Sequence, residues 1–466
     1  MTNDKIQMSN VRTRIAPSPT GDPHIGTAYT ALFNYAFSKK NKGKFILRIE
    51  DTDRTRLVPE AEQKIIDSLT WLGIKWDEGP YKQSERLNLY QDTAKKLVTK
   101  GAAYYCNCPP ERLEKVRQEQ QAKGEVPRYD RKCRLNSPKK GPFVVRLKVP
   151  EAGETSFNDL IRGKITFKNK DIDDAIILKS DGWPTYHLAV VVDDADMKIS
   201  HVIRAEEWLS STPKHVILAK ALESKLPNFA HLPILRNPDR SKISKRKKPV
   251  SIVWYREQGY LPEAIINYLA LMGWSMPDGR EKFTRDEFIR EFDLARVDPT
   301  GPVFDLQKLE WLNGEWIRSL SAEELTRKLE GYAEVGSSDI RKVLPLVHER
   351  LKRLSEFDNL TNYFFDEEIE IAKETIIQKG KGVKETKEVL QKIAAALSTT
   401  DWNKKEIEDT VKRQQEKIGW SNTDLFQTIR GVATGTRATP PLFDTLEAIG
   451  KEKVAKRFKK AIALLS

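Results

Sequence analysis

The sequence predicts an α/β protein, with a parallel sheet and its helices in the first half, an insertion interrupting that sheet, and a helical last third. Three observations lead there. A strand-helix-strand pattern fills residues 11–50, residues 93–182 change character, and beyond Ser321 nearly every segment carries apolar residues at helical spacing.

Residues 11–15 read as a short strand that runs into a loop rich in Pro and Gly. From Thr27, the positions Ala28, Ala31, Leu32, Tyr35 and Ala36 recur at i, i+3, i+4, i+7 and i+8, which is one face of a helix. After a turn at 41–43, residues 44–50 read as a second strand. Two strands joined through a helix in so short a span imply a right-handed crossover and parallel pairing. The stretch 93–182 holds a helical segment at 111–123 and a strand-like run at 143–148, so it reads as an insertion. Strands resume at 199–204, and Ser211-Thr-Pro predicts a helix with Thr212 as its cap and Pro213 at its first position. Ser321-Ala-Glu-Glu324 matches a capping box, and helices are predicted over 339–357, 384–397 and 401–417. No internal repeat or low-complexity tract stands out.

A chain of 466 residues has room for about three domains of roughly 150 residues each. It is 39% hydrophobic and 32% charged, as expected of a protein with true cores. No apolar run approaches the roughly 20 residues that cross a bilayer, and the polar first ten residues lack a secretory signal. A cytoplasmic location and no membrane partner are expected. The net charge of +13 suits a polyanionic partner. Three cysteines are too few for a disulfide scaffold, and all lie between Cys106 and Cys133.

The common nucleotide loops, G-x-x-x-x-G-K-[ST] and G-x-G-x-x-G, are absent. The chain offers instead Pro17-Ser-Pro-Thr-Gly-Asp-Pro-His-Ile-Gly26 between the first strand and the first helix. Open α/β sheets bind ligands at such a place, and the free N–H groups of a helix start favour anions. Gly21 and Gly26 allow close backbone approach, and His24 has a proton to give a phosphate oxygen. A simple turn with a capping histidine accounts for the segment equally well. The second motif, Asn237-Pro-Asp-Arg-Ser-Lys-Ile-Ser-Lys-Arg-Lys-Lys248, places five basic residues in the seven positions from Lys242. A solvated basic loop is one reading. A loop whose lysines close on a triphosphate and stabilise charge in the transition state is the other.

Taken in this order, the two motifs resemble the HIGH and KMSKS signatures of class I aminoacyl-tRNA synthetases. Thr13-Arg-Ile-Ala-Pro-Ser-Pro, Arg48-Ile-Glu-Asp-Thr-Asp-Arg54, Tyr186-His-Leu and Val202-Ile-Arg-Ala-Glu-Glu-Trp208 resemble the bacterial glutamyl-tRNA synthetases in particular. The resemblance runs from about Val11 to the C-terminus and is strongest before Asn313. It implies a Rossmann-type catalytic domain at 1–92 and 183–236. An acceptor-binding insertion follows at 93–182, a KMSKS and stem-contact region at 237–320, and an all-α anticodon-binding region at 321–466. It further implies ATP with Mg2+, L-glutamate and tRNA(Glu) as partners, and a monomer.

By the same resemblance His24, Thr27, Lys242 and Lys245 serve catalysis, with Gly26 and Lys245 on ATP. Thr27 stands where the signature often has His, which shifts the charge work to His24 and Lys245. Arg14 and Arg204 would meet the two carboxylates of glutamate, in the bidentate manner open to a guanidinium. Glu50 would meet its ammonium, while Ala16, Ser18 and Tyr186 complete the pocket. Arg14 and Glu50 on neighbouring strands could instead pair with each other. Glu207, Ile234 and Leu235 resemble positions on the adenosine side.

Cys106-Asn-Cys108 with Cys133 resembles a zinc site of some family members. The pattern with a His two residues beyond the third cysteine fails, because Leu135 stands there. Tyr129 has the spacing of a related pattern and would complete a four-ligand Zn2+ site, against three reduced thiols with no metal. Arg350, on the helix predicted after Val347-His-Glu, is the candidate for reading an anticodon base, or else a solvated helix arginine. Rival classes fit less well. A small-molecule nucleotidyltransferase has no use for a basic helical third, and a silent RNA-binding relative has no need of His24, Glu50, Arg204 and Lys245 together.

Overall fold

The computed structural model describes residues 10–138, 141–243 and 250–466, so the first nine residues and the lysine run 244–249 lie outside the described residues. The chain forms two compact units, one of residues 1–256 and 262–309, the other of 257–261 and 310–466.

The strands of the first unit are, in chain order, β1 (Arg12–Ile15), β2 (Lys44–Ile49), β3 (Glu78–Lys82), β4 (Ala103–Cys106), β5 (Val144–Leu147), β6 (Glu154–Asp159), β7 (Gly163–Lys168), β8 (Ile176–Leu178), β9 (His201–Ala205) and β10 (Asn228–Leu232). β1, β2 and β3 pair in parallel, as do β9 and β10. Ser200 N donates to Arg12 O (3.0 Å) just before β9 begins, which brings β9 alongside β1. β2 buries five of its six residues, the mark of a strand covered on both faces. Within 93–182, β4, β5 and β8 form their own antiparallel sheet. The β6–β7 hairpin instead extends the β9–β10 sheet, through Phe229 opposite Asp159.

The first helix, Ile25–Lys40, is buried on more than the one predicted face, for Phe33, Asn34 and Phe37 are also covered. Phe33 meets the rings of Phe288 and Phe292 at 5.8 and 5.3 Å, so a second layer closes the side the periodicity left open. Asn34 Nδ2 donates to Ile203 O (2.9 Å) and Asn34 O accepts from Thr13 Oγ1 (2.9 Å), which ties this helix to β1 and β9 together.

Two sequence expectations are corrected. The helix Thr212–Ala221 includes Thr212, and Ser211 takes the cap position after a 3-10 turn over Glu206–Ser211. The Thr212 hydroxyl is engaged elsewhere, donating to Trp208 O (3.0 Å). The helix predicted over 339–357 is broken into Ser337–Val347, a 3-10 turn His348–Arg350 and Phe357–Phe365. Pro345 removes one backbone donor from the last turn, and Leu354 N turns away to Gly259 O (3.0 Å). Arg350 therefore ends a tight turn and does not sit on a helix face. The capping box at Ser321 forms with Glu324, and two further helices span Val383–Ser398 and Lys404–Ile418. Among the described residues no helix is long and apolar enough to cross a membrane.

Gly43 turns the chain from the first helix into β2. A Cβ there would lie 2.2 Å from Val11 O, a backbone atom already accepting from Lys44 N (2.8 Å). Gly43→Ala should cost the parallel-sheet unit about 1–3 kcal/mol, as overpacking against backbone does. A lower urea midpoint for that unit is the expected result, and an unchanged one would show that the turn can open.

Candidate active site

The sheet reverses its strand order between β1 and β9, with β2 and β3 continuing on one side and β10 and β6 on the other. A cavity of about 750 Å³ opens here, at the carboxyl ends of the strands. Arg14, Ala16, Ser18, His24, Gly26, Thr27, Glu50, Tyr186, Arg204, Glu207, Ile234, Leu235 and Lys242 all line it. They come from β1 and β9, from the loops that leave β1, β2, β9 and β10, and from the starts of two helices.

The first motif does two jobs at once. His24 caps the helix Ile25–Lys40, its Nδ1 accepting from Gly26 N (2.9 Å). With Nδ1 accepting, the ring proton of the neutral form sits on Nε2, where it can be donated. Capping and phosphate binding are thus compatible. A Cβ on Gly26 would lie 3.1 Å from His24 Nδ1, so glycine there lets the cap close.

Lys245 lies outside the described residues. Both flanks of its segment are held at the cavity, since Ile243 N donates to Leu235 O (3.2 Å) and Ile25 N to Val250 O (2.7 Å). Lys242 Nζ donates to Glu207 Oε2, so the loop lysine expected to serve catalysis pairs directly with an acid expected on the adenosine side.

The carboxylate that meets Arg14 is Asp194, not Glu50. Arg14 Nε and Nη2 donate to Asp194 Oδ1 and Oδ2 at 3.1 and 3.3 Å. Arg48, fully buried, donates through Nη1 to Asp194 Oδ1 (2.8 Å) and through Nη2 to Glu50 Oε1 (3.2 Å). Burial opposes the charge on Asp194, but Arg14 and Arg48 outweigh it and hold its pKa below the ordinary value. Glu50 goes the other way. Burial raises its pKa despite the attraction of Arg48 and Arg14. Neither Asp194 nor Arg48 was singled out in the sequence. The available signal was a charge inside an apolar run, which needs a buried partner.

Arg204, 5% exposed, has a different environment. Nε donates to His231 Nε2 (3.1 Å), Nη1 to Tyr186 Oη (3.2 Å) and His215 Nδ1 (3.1 Å), and Nη2 to Thr212 Oγ1 (2.8 Å). None of these acceptors is an acid. Of its five N–H donors one has no partner among the described residues. Tyr186 Oη, accepting from Arg204, keeps its own proton to donate. Burial lowers the pKa of Arg204, the cost of a cation with no anion beside it.

In the insertion, Cys106, Cys108 and Cys133 bring their Sγ atoms within 4.8 Å of one another. Tyr129 Oη lies 3.4 Å from Cys106 Sγ and 3.3 Å from Cys108 Sγ, and accepts from Cys133 N (3.0 Å). Four donors on such a footprint fit a tetrahedral ion with Zn–S near 2.3 Å, which sets sulfurs about 3.8 Å apart. Leu135 is 94% exposed and stands clear of the cluster. In the helical unit, Arg350 lines a separate cavity of about 490 Å³ with Asn359, Tyr363 and Thr436.

Comparison with known proteins gives the family. The profile described as tRNA synthetases class I (E and Q), catalytic domain, matches residues 10–311, and an anticodon binding domain profile matches residues 321–462. The glutamate–tRNA ligase of Acidothermus cellulolyticus is 46% identical over 97% of this chain and 96% of its own. That of Thermus thermophilus is 45% identical over 97% of this chain and all of its own. A crystal structure of a glutamate tRNA ligase from Elizabethkingia meningosepticum in complex with its amino acid superposes with a TM-score of 0.86, at 35% identity, covering 98% of this chain and 100% of that one. The chain belongs to the class I aminoacyl-tRNA synthetases, in the glutamate–tRNA ligase family.

Proposed function

We propose that this protein is a glutamate–tRNA ligase that activates L-glutamate with ATP and transfers the glutamyl group to the 3′ end of tRNA(Glu). The observation that carries the reading is the grouping of Arg14, Arg204 and Glu50 around one cavity beside the His24 motif. A dicarboxylate with an ammonium group needs two cations and one anion in such a pocket, and these three residues supply them.

One glutamate carboxylate oxygen attacks the α-phosphorus of ATP, forming the acyl–phosphate bond as the bond to pyrophosphate breaks. A ribose hydroxyl of the tRNA terminus then attacks the acyl carbon and AMP leaves. Mg2+ bound with ATP neutralises phosphate charge. The chain's own part is positioning and electrostatic stabilisation. His24 donates from Nε2 toward phosphate oxygen, Thr27 adds a hydroxyl, and Gly26 lets the nucleotide approach the helix start. Lys242 exchanges Glu207 for a phosphate, and Lys245 joins it from the loop. Glu207, Ile234 and Leu235 face the adenosine, while Ala16, Ser18 and Tyr186 close around the amino acid.

Residues 93–182 receive the tRNA acceptor end, 237–320 the stem, and 321–466 the anticodon, with Arg350 at a base. A charge of +13 supports an RNA partner of this size. We read the protein as a cytoplasmic monomer. Cys106, Cys108, Cys133 and Tyr129 hold a structural Zn2+ in the insertion, a reading supported by the compact four-donor cluster.

Pyrophosphate exchange with glutamate and ATP tests the activity. Exchange should require tRNA, as the resemblance implies, and exchange supported by glutamine instead would overturn the assignment. Acidification tests Glu50. The ammonium binds the ionised form, and burial has raised this pKa. The glutamate KM should therefore climb as pH falls through the raised value, at higher pH than an ordinary glutamate would give, with the ATP KM steady. Glu50→Gln should raise the glutamate KM roughly 100-fold, the order expected when a buried charge loses its partner. Elemental analysis of protein purified without added metal should find about one zinc per chain and a loss of it in Cys133→Ser. Finding no zinc would refute the site.

A further inference from the structure

Behind the cavity lies a set of side chains that no step above uses. Arginine can only donate, so each contact it makes with a histidine fixes the tautomer of that ring. His215 Nδ1 accepts from Arg204 Nη1 (3.1 Å), so the His215 proton is on Nε2, 3.1 Å from His187 Nδ1. His231 Nε2 accepts from Arg204 Nε (3.1 Å), so its proton is on Nδ1, 2.6 Å from Asp159 Oδ2. The order of protons therefore runs outward from Arg204 along both arms. One arm ends on His187 in the helix Tyr186–Asp196, and the other on Asp159 at the end of β6. Thr212 closes the third side, accepting from Nη2 while donating to Trp208 O.

We propose that His215, backed by His187, and His231, backed by Asp159, together with Thr212, are positioning residues that hold the Arg204 guanidinium in one orientation through neutral acceptors, so that its whole charge is kept for the substrate carboxylate. The inference rests on the reading of Arg204 as a carboxylate-binding residue. Its physical content is a contrast inside one pocket. Arg14 is anchored by the carboxylate of Asp194, which offsets its charge as it orients it. Arg204 is anchored just as firmly, but by two imidazole rings and two hydroxyls that carry no charge. His215 and Thr212 are 4% and 0% exposed, so water does not supply the same acceptors. Burial and the nearby Arg204 cation keep the pKa of His215 far down, consistent with a neutral ring. An acid in the place of His215 would hold the arginine equally well and cancel its charge. A carboxylate side chain in the cavity would then gain little over the corresponding neutral amide.

The test measures glutamate KM and ATP KM separately, by tRNA-dependent pyrophosphate exchange on the full chain. His215→Asp should raise the glutamate KM about tenfold or more and leave the ATP KM within about twofold, as loss of one charged interaction predicts. His215→Asn, whose side-chain oxygen can stand where Nδ1 stands, should restore most of the loss. Thr212→Val keeps the shape and removes one acceptor, and should raise the glutamate KM in the same direction. If His215→Asp does not fold, this variant decides alone. Arg204→Gln is the reference. Should it raise the glutamate KM while His215→Asp and Thr212→Val leave it unchanged, the positioning role is overturned and the role of Arg204 stands. Should Arg204→Gln itself leave the glutamate KM unchanged, the underlying reading fails. Equal damage from His215→Asn and His215→Asp would refute the requirement for a neutral acceptor.

Discussion

Asp194 sits at the end of the helix Tyr186–Asp196, and two arginines converge on it, Arg14 from β1 and Arg48 from β2. Both strands belong to the first βαβ unit, while the helix arrives from beyond the insertion, so this carboxylate joins the two halves of the catalytic sheet. Its neighbour Asp193 continues the join, accepting from Gln83 Nε2 (2.8 Å), Arg86 Nε (2.9 Å) and Tyr90 Oη (2.9 Å). Buried charges of this kind are costly to place and more costly to unpair. Removing one partner typically costs about 3–5 kcal/mol because the other is left in low dielectric. What the arrangement secures is geometry. The cavity wall cannot shift without breaking a network in which each member neutralises another.

Against that balanced background two groups are left out of balance, Glu50 and Arg204. Glu50 is held by Arg48 yet buried enough that its pKa is raised, so an ammonium beside it would relieve a cost. Arg204 is oriented at four of its donors without any acid, so a carboxylate beside it would do the same. These two groups are thus charged in the complementary sense to an amino acid with an acidic side chain. In the second motif the opposite holds, for Lys242 and Glu207 satisfy each other.

Reading the residues alone picked out the members of one cavity better than the contacts among them. Arg14, Glu50, Tyr186, Arg204 and the two motifs are far apart in the chain, and the structure gathers those of them it describes around one cavity. The pairing of these groups was another matter. Arg14 and Glu50 stand on adjacent strands, and nothing local says that a helix some 180 residues on will bring Asp194 between Arg14 and Arg48. His24 was open between cap and phosphate donor for a similar reason, since only the distance to Gly26 N shows which ring nitrogen is engaged. At Arg350 the helical period continued past the place where the helix ends, because an apolar pattern does not register a donor lost to Pro345 or a backbone N–H drawn off to Gly259.

By itself, the sequence determined the classes of element, the order of the two motifs and the family, because period and motif spacing are local properties that any window of the chain displays. Only the tertiary structure decided which acid balances which arginine, which histidine tautomers are present, and that the acceptors around Arg204 include no acid. Those depend on burial and on distances of about 3 Å between residues far apart in the chain, where removal from water turns a choice of partner into the largest local energy.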